Sequence, residues 1–396
     1  MNTVTAINNA QLIIGNGELI DRGSIRFDNT GILDIEQGTS LQADVVLDGS
    51  GKTVMPGLID CHVHLAMPPV VNCLSTIIND NELTTAYRAY DQACQMIRSG
   101  ITTIRNVGTK YDADITLRNM INSGEIRGPR ILASGQVICI TCGHCNPLGV
   151  EVDDVSQATT AARRQIKKGA DLLKMMATGG VITMGDPNKI QLTLEQMIAI
   201  REEADRFGKT SCAHCIAPDG IRNAVEAGLH SVEHGTYLDD EICKKMVERG
   251  VWLVPTLIAT YNEWHPDINI QHDPISERLR EKAKPVSDSG RRSFEIALRN
   301  GVKIALGTDA GCPFNVPTLY ALEVHLYIEH GMTPMDALVC ATYKNAQFLK
   351  LDKTIGSLEK GKLADLILID GDPLNNILDL RKVERTYRSG DLLHRS

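Results

Sequence analysis

The segment LIDCHVHL, residues 58–65, places His62 and His64 one residue apart just beyond Pro56-Gly57. Residues i and i+2 of a strand share a face, so both imidazoles would point toward one side while Cys61 and Val63 point to the other. Two converging neutral imidazoles are half of a divalent-metal site. Alone, such a pair reads equally well as ordinary core or surface histidines. Four further segments shift the balance: DLLKMM carries Lys174, KTSCAH ends on His214, LHSVEH ends on His234 and KIALGTD ends on Asp309. Six metal-compatible groups at the ends of short apolar runs are hard to explain as satisfied core residues. Lys174 is the odd member, because an ammonium is a poor ligand and its burial is costly unless the charge is removed. Carbon dioxide adding to the neutral amine would give a carbamate with two oxygens able to bridge two cations. The alternative is a structural lysine paired with Asp309.

The elements that must position these groups follow a recognisable rhythm. From Gly57 to about Lys350, short apolar runs alternate with helix-period stretches, the pattern of parallel strands wrapped by helices. Eight strands are expected, in GLIDCHVHL, ITTIRNV, RILAS, DLLKMM, KTSCAH, LHSVEH, VWLVP and KIALGTD. Helices are expected over 83–97, 155–168, 194–207, 218–227, 239–247 and 286–299. Eight such repeats specify an α/β fold, a (β/α)8 TIM barrel over residues 56–354, with its site at the C-terminal ends of the strands. Residues 1–55 alternate apolar and polar positions between turn residues, and the same texture returns in GSLEKGKLADLILIDGDPL. A small composite β-sandwich domain from 1–55 and 355–396 is therefore expected.

Composition narrows the partners. Forty-one Lys and Arg against 49 Asp and Glu give a net charge of −8, which argues against nucleic acid. No apolar run approaches the roughly 18 residues that span a bilayer, and the N-terminus has no basic signal-peptide region, so a cytoplasmic protein is expected. Eleven scattered cysteines fit free thiols in a reducing compartment. Cys139, Cys142 and Cys145 form a C-x2-C-x2-C run, but a ferredoxin-type cluster needs a fourth cysteine where Gly149 stands.

The segments VMPGLIDCHVHL, GITTIRNVG, DLLKMMATGG, SCAHC, SVEHGTY, IALGTDAG and ATYKNAQFLKLDKTIGSLEKGKLADLILIDGDPL together resemble the amidohydrolase superfamily, almost end to end and in its order. KMMATGG and EHGTY most resemble its metal-dependent Xaa-Pro dipeptidase, or prolidase, branch. The resemblance implies a binuclear centre: His62, His64 and Asp309 on the more buried ion, His214 and His234 on the more exposed one, and carboxylated Lys174 bridging them. It also implies substrate contacts from His144, in TCGHC, and Tyr237, in HGTY. Thr141-Cys142-Gly143-His144 departs from the Thr-Gly-Gly-His of many relatives, and GCPFNVPTLY lacks a histidine some of them carry, which leaves the pocket open.

The expected reaction is hydrolysis of a C–N amide bond, in a dipeptide or N-acyl amino acid, by a hydroxide shared between two divalent ions, with zinc the leading candidate. Asp309 would accept the proton and pass it to the leaving amine. A lactonase or phosphotriesterase on the same centre is the enzymatic alternative, and a non-catalytic amidohydrolase-like scaffold the alternative of another class. The expected partner is a small molecule, and a homo-oligomer is open. Arg105, His230, His265, His272, His325, His330 and His394 are read as structural or surface residues, and Cys212 as filling a layer of the barrel.

Overall fold

A computed structural model describes residues 3–183, 185–264 and 274–396, with the side chains of 264 and 274–276 outside the description. The terminal strands are β1 Thr5–Ile13, β2 Leu19–Asp28, β3 Gly31–Gln37, β4 Val45–Asp48 and β5 Thr53–Pro56. Those of the middle are β6 Leu58–Val63, β7 Ile101–Asn106, β8 Arg130–Ala133, β9 Val137–Cys139, β10 Gly149–Glu151, β11 Leu172–Met176, β12 Thr210–Cys215, β13 Ser231–His234 and β14 Trp252–Val254. The chain ends with β15 Leu366–Ile369, β16 Val383–Arg388 and β17 Asp391–Arg395.

The two ends of the chain share one eight-stranded sheet, ordered β17-β16-β15-β5-β1-β2-β3 with β4 also on β1. Its seam is the antiparallel pairing of β5 with β15, where Val54 lies opposite Leu368. Phe27 on β2 and Tyr387 on β16 meet edge to face at 4.9 Å. Three strands separate them in the sheet, and at about 4.8 Å per strand a flat sheet would hold them far apart. The sheet therefore curls over its own core of Ile7, Leu12, Ile25, Val54 and Leu366.

The middle of the chain is α/β. β6-β7-β8 form one parallel sheet and β10-β9-β11-β12-β13-β14 another. Backbone bonds join them: Asp171 N donates to Ala133 O at 2.7 Å, at the boundary between β8 and β11. Helices Glu82–Arg98, Val155–Lys168, Leu194–Arg206, Pro218–Glu226, Asp240–Arg249 and Pro274–Arg299 occupy the expected places, the last beginning earlier than its apolar period indicates. Ile104, Leu173, Met175, Ala213 and Val232 pack in one core with helix residues Ala93, Met96, Met197, Ile200 and Ile221. Residues of the opposite parity are left for the interior.

Two expectations of local structure are corrected. The segment KIALGTD is not a ladder strand; it touches its neighbours through isolated bridges, Leu253 with Ile304 and Val63 with Ala310. Side chains take the backbone groups instead: Asn345 Oδ1 accepts from Leu306 N at 2.8 Å, and Asp60 accepts from Thr308 N at 3.0 Å and Thr308 Oγ1 at 2.6 Å. The run still lies between β14 and β6, since Ala305 N donates to Leu253 O and Cys61 N to Leu306 O. Second, Cys61 does not face the helices. Between the pairs Asp60–Ile104 and Val63–Asn106, β6 advances three residues while β7 advances two. This bulge breaks the alternation, and Cys61 packs with Ile59, Val254, Ala305 and Phe348.

Candidate metal centre

The bulge and two left-handed residues aim the site. His62 and His64 leave the end of β6. Lys174 and Cys212 are register partners on β11 and β12, as are Met176 and His214, so Lys174 and His214 share one face two rungs apart. On β13 the inward positions are Ser231 and Glu233, which bond to Arg105 and His62. His234 reaches the same space because its φ is +67°, and Asp309 likewise has φ +61°. Gly307 lets the last segment approach: a Cβ there would stand 2.6 Å from His62 Cβ.

All six predicted ligands come together. His62 Nε2 and His64 Nε2 each lie 3.4 Å from Asp309 Oδ1, and Lys174 Nζ lies 3.5 Å from His62 Nε2. Ligand atoms of His62, His234 and Asp309 all lie within 4.8 Å of one another. The His214 and His234 rings are 4.5 Å apart, and those of His62 and His234 5.2 Å.

One nitrogen of each imidazole is already engaged. His62 Nδ1 donates to Glu233 Oε2 at 2.6 Å, His64 Nδ1 to Gly108 O at 3.1 Å and His214 Nε2 to Gly179 O at 2.9 Å. His234 Nδ1 meets Thr256 Oγ1 at 2.6 Å. Partners that fix the tautomer leave the other nitrogen as a lone-pair donor, the usual support of metal-binding histidines. Burial keeps three of the rings neutral: His64 is pushed down to about 4 and His214 to about 3, Lys174 adding to the effect at both, and His234 lies well below its ordinary range.

Asp309 carries the test of fit. Its Oδ1 is buried and receives no hydrogen bond. A carboxylate oxygen 3.4 Å from the Nε2 atoms of two imidazoles whose Nδ1 atoms already donate faces two lone pairs, an arrangement that is repulsive unless a cation stands among them. Ligands about 2.1 Å from a tetrahedral ion are about 3.4 Å from each other, the spacing found here. These residues fit a divalent metal. Lys174 is only 1% exposed, and among the described residues no carboxylate oxygen lies within 4.0 Å of its Nζ, so the structural Lys174–Asp309 ion pair is absent.

Sequence reasoning missed Glu233. Strict alternation from His234 turns Glu233 outward, and only the left-handed His234 lets both face the site. Glu233 is wholly buried and accepts from Arg105 Nη2 at 2.6 Å, Ser231 Oγ at 2.5 Å and His62 Nδ1. Burial opposes its ionisation, yet Arg105 and His62 hold its pKa below the usual carboxylate value. Arg105 is thus structural, as expected, and stacks over Phe348 at 4.7 Å. Cys212 lies inward against Val107 and Leu172.

The cavity above the centre is lined by His144, Ile216, Leu257, Val286 and Glu263, among others. The His144 ring lies 4.2 Å from that of His214, and Thr183 Oγ1 contacts its Nδ1. Gly180 is required here, because a Cβ would overlap the imidazole. Tyr237 is half-buried and packs against the apolar cluster of Val181, Ile216 and Val286, residues that line the cavity. Cys142 is exposed while Cys139 and Cys145 are buried. His230 stacks on Phe348, His330 meets Glu295 and His325 meets Glu329; His394 pairs within the terminal sheet, opposite Thr386. His265 and His272 lie outside the described residues.

With this geometry in place, the comparisons are specific. Residues 53–393 match the family described as "Amidohydrolase family". Ochratoxinase of Aspergillus niger is 29% identical over 372 residues, covering 86% of this chain and 75% of that protein. A crystal structure of a Xaa-Pro dipeptidase with methionine bound in its active site superposes with a TM-score of 0.91 at 33% identity, all of each chain being covered. A prolidase complexed with N-methylphosphonate-L-proline superposes with a TM-score of 0.89 at 28% identity, again over all of both chains.

Proposed function

Because the chain belongs to the amidohydrolase family and is an enzyme that hydrolyses C–N bonds, we propose that its substrate is a dipeptide of Xaa-Pro type or an N-acyl amino acid. The observation that carries the reading is Lys174, buried without a carboxylate partner amid four imidazoles and Asp309. As a carbamate it would be an anion matched to two cations, with His62, His64 and Asp309 around one and His214 and His234 around the other. When bound, the two divalent ions, zinc foremost, supply polarisation of the amide carbonyl and acidification of water.

The chain's own residues do the rest. Asp309 Oδ1, with no donor of its own, accepts the proton of the attacking water and returns it to the leaving nitrogen. His144 stands on the cavity wall to donate to the developing oxyanion, with Tyr237, packed against the adjoining cluster of Val181, Ile216 and Val286, as the alternative donor. Glu233 and Arg105 hold His62 in one tautomer. The two linked parallel sheets and the 303–310 segment support a (β/α)8 barrel over 56–354. The curled sheet of 1–55 and 355–396 supports a companion with sandwich-like layers. Unpaired cysteines at all eleven positions support a reducing, cytoplasmic location, and no helix of the described residues is long and apolar enough to cross a membrane.

The reading favours peptides because a Xaa-Pro dipeptidase and a prolidase are so similar over whole chains. It is tested by a panel of dipeptides and N-acyl amino acids with a lactone and a phosphotriester as controls. Turnover confined to the amides is expected; turnover confined to the controls would transfer the site to ester chemistry. Absence of both, with no bound metal, would make it a scaffold.

A further inference from the structure

One ionisable group on the cavity wall is used by nothing above. Glu263 sits in the last turn of helix Leu257–Trp264, is 3% exposed, and lines the same cavity as His144, His214 and Asp309. Its Oε2 is fully buried and receives no hydrogen bond. The charged group that acts on it is Asp309, and burial together with that charge raises its pKa well above the carboxylate range. Among the described residues, its other ionisable neighbours are the thiols of Cys73 and Cys312, which offer no relief.

The helix holding it is fixed. Leu257 N and Ile258 N donate to Glu323 at 2.9 and 2.6 Å, and Glu323 is itself buried. Leu257, Ala259 and Thr260 of the same helix also face the cavity, so Glu263 shares that wall with them. Among the described residues, Lys174 is the sole lysine on that wall, and no arginine lines it.

A buried carboxyl with an unsatisfied oxygen is unfavourable in the empty protein. It becomes favourable when an incoming group supplies both a donor and a positive charge, which lets the acid ionise in place. We propose that Glu263 is a specificity-determining residue that pairs with a cationic nitrogen of the substrate. This deepens, and rests on, the amide-hydrolase reading of the same cavity. The nitrogen has two sources in peptides: the free α-ammonium, which N-acyl amino acids lack, or a basic side chain.

The test uses equilibrium binding, so it does not depend on turnover. Affinities of the full-length metal-loaded protein are measured for two pairs of ligands of matched shape: methionine against 4-(methylthio)butanoate, and lysine against norleucine. The wild type is expected to favour the cationic member of at least one pair by about ten- to one-hundred-fold. The isosteric Glu263→Gln variant is expected to lose that preference while binding the other member within a few-fold of wild type. A preference in the first pair assigns the α-ammonium; in the second, the side chain. A wild type without preference in either pair overturns the proposal with no variant needed, as does a preference that survives in E263Q. Retained preference in a protein that cleaves no amide would overturn the amide reading and leave Glu263 its role. Amide cleavage without preference would do the reverse.

Discussion

Replacing Glu233 by Gln removes one charge and changes almost no volume, yet it reaches the centre through three contacts. In the wild type the carboxylate accepts from Arg105, Ser231 and His62 at 2.5–2.6 Å with no solvent access. The Arg105 guanidinium is only 2% exposed, so the variant leaves it as a buried cation without its counter-ion. Breaking a buried pair from one side costs about 3–5 kcal/mol, and Coulomb attraction at about 4 Å and an effective dielectric of 20 gives a similar figure of about 4 kcal/mol. The amide must also choose whether its oxygen or its NH2 faces His62. Where NH2 wins, the His62 tautomer inverts and Nε2 carries a proton instead of a lone pair. A support lost in this way weakens metal binding by about 10- to 100-fold. Denaturant unfolding of metal-free protein and a competitive chelator titration measure the two effects separately. Stability within about 1 kcal/mol of wild type together with unchanged metal affinity would refute the reasoning.

Other outcomes follow from the same geometry. Lys174→Ala and Asp309→Asn are each expected to abolish turnover while the fold persists by circular dichroism; near-native kcat in either would contradict the assigned roles. His64 and His214 have folded pKa values of about 4 and 3 against an ordinary 6.5. Below pH 6.5 each of these two histidines contributes a loss of about 1.4 kcal/mol per unit to the stability of the metal-free protein as pH drops toward 4, against an opposing gain from the buried carboxyls of Asp60 and Asp114, raised to about 6. NMR titration of the metal-free protein in which either imidazole protonates near 6.5 would exclude the shifts. Gly180→Ala is expected to displace His144 and lower kcat at least about tenfold with metal content unchanged, whereas an unaltered kcat would remove His144 from the reaction. Cys142→Ser is expected to change neither metal content nor rate, since Cys142 is exposed.

Much of this centre was legible because side-chain type and strand rhythm agree: four apolar runs and one non-ladder segment each carry, at or near their ends, a group that can bind or bridge a cation. The pairing of the chain's two ends was legible for a similar reason, since alternation and turn residues recur in ADVVLDGSG and ADLILIDGD. Alternation failed where the backbone departs from an ideal strand. The β6 bulge turned Cys61 inward, and left-handed His234 concealed Glu233. The segment before Asp309 reads as a strand by hydrophobicity, but Asp60 and Asn345 satisfy its backbone groups from a distance that no local pattern encodes. Glu263 follows one of the two shortest expected strands, where only the folded wall reveals that an acid is buried without a partner.

The central claim is that amide hydrolysis and cation binding belong to one cluster of six side chains. The most direct measurement is the rate of dipeptide hydrolysis by chelator-stripped protein as a function of divalent ions bound per chain. The rate is predicted to rise from zero and level off at two ions, and to stay at zero in Lys174→Ala at every loading. Full activity in the stripped protein, or two ions bound with no amide cleaved, would contradict it.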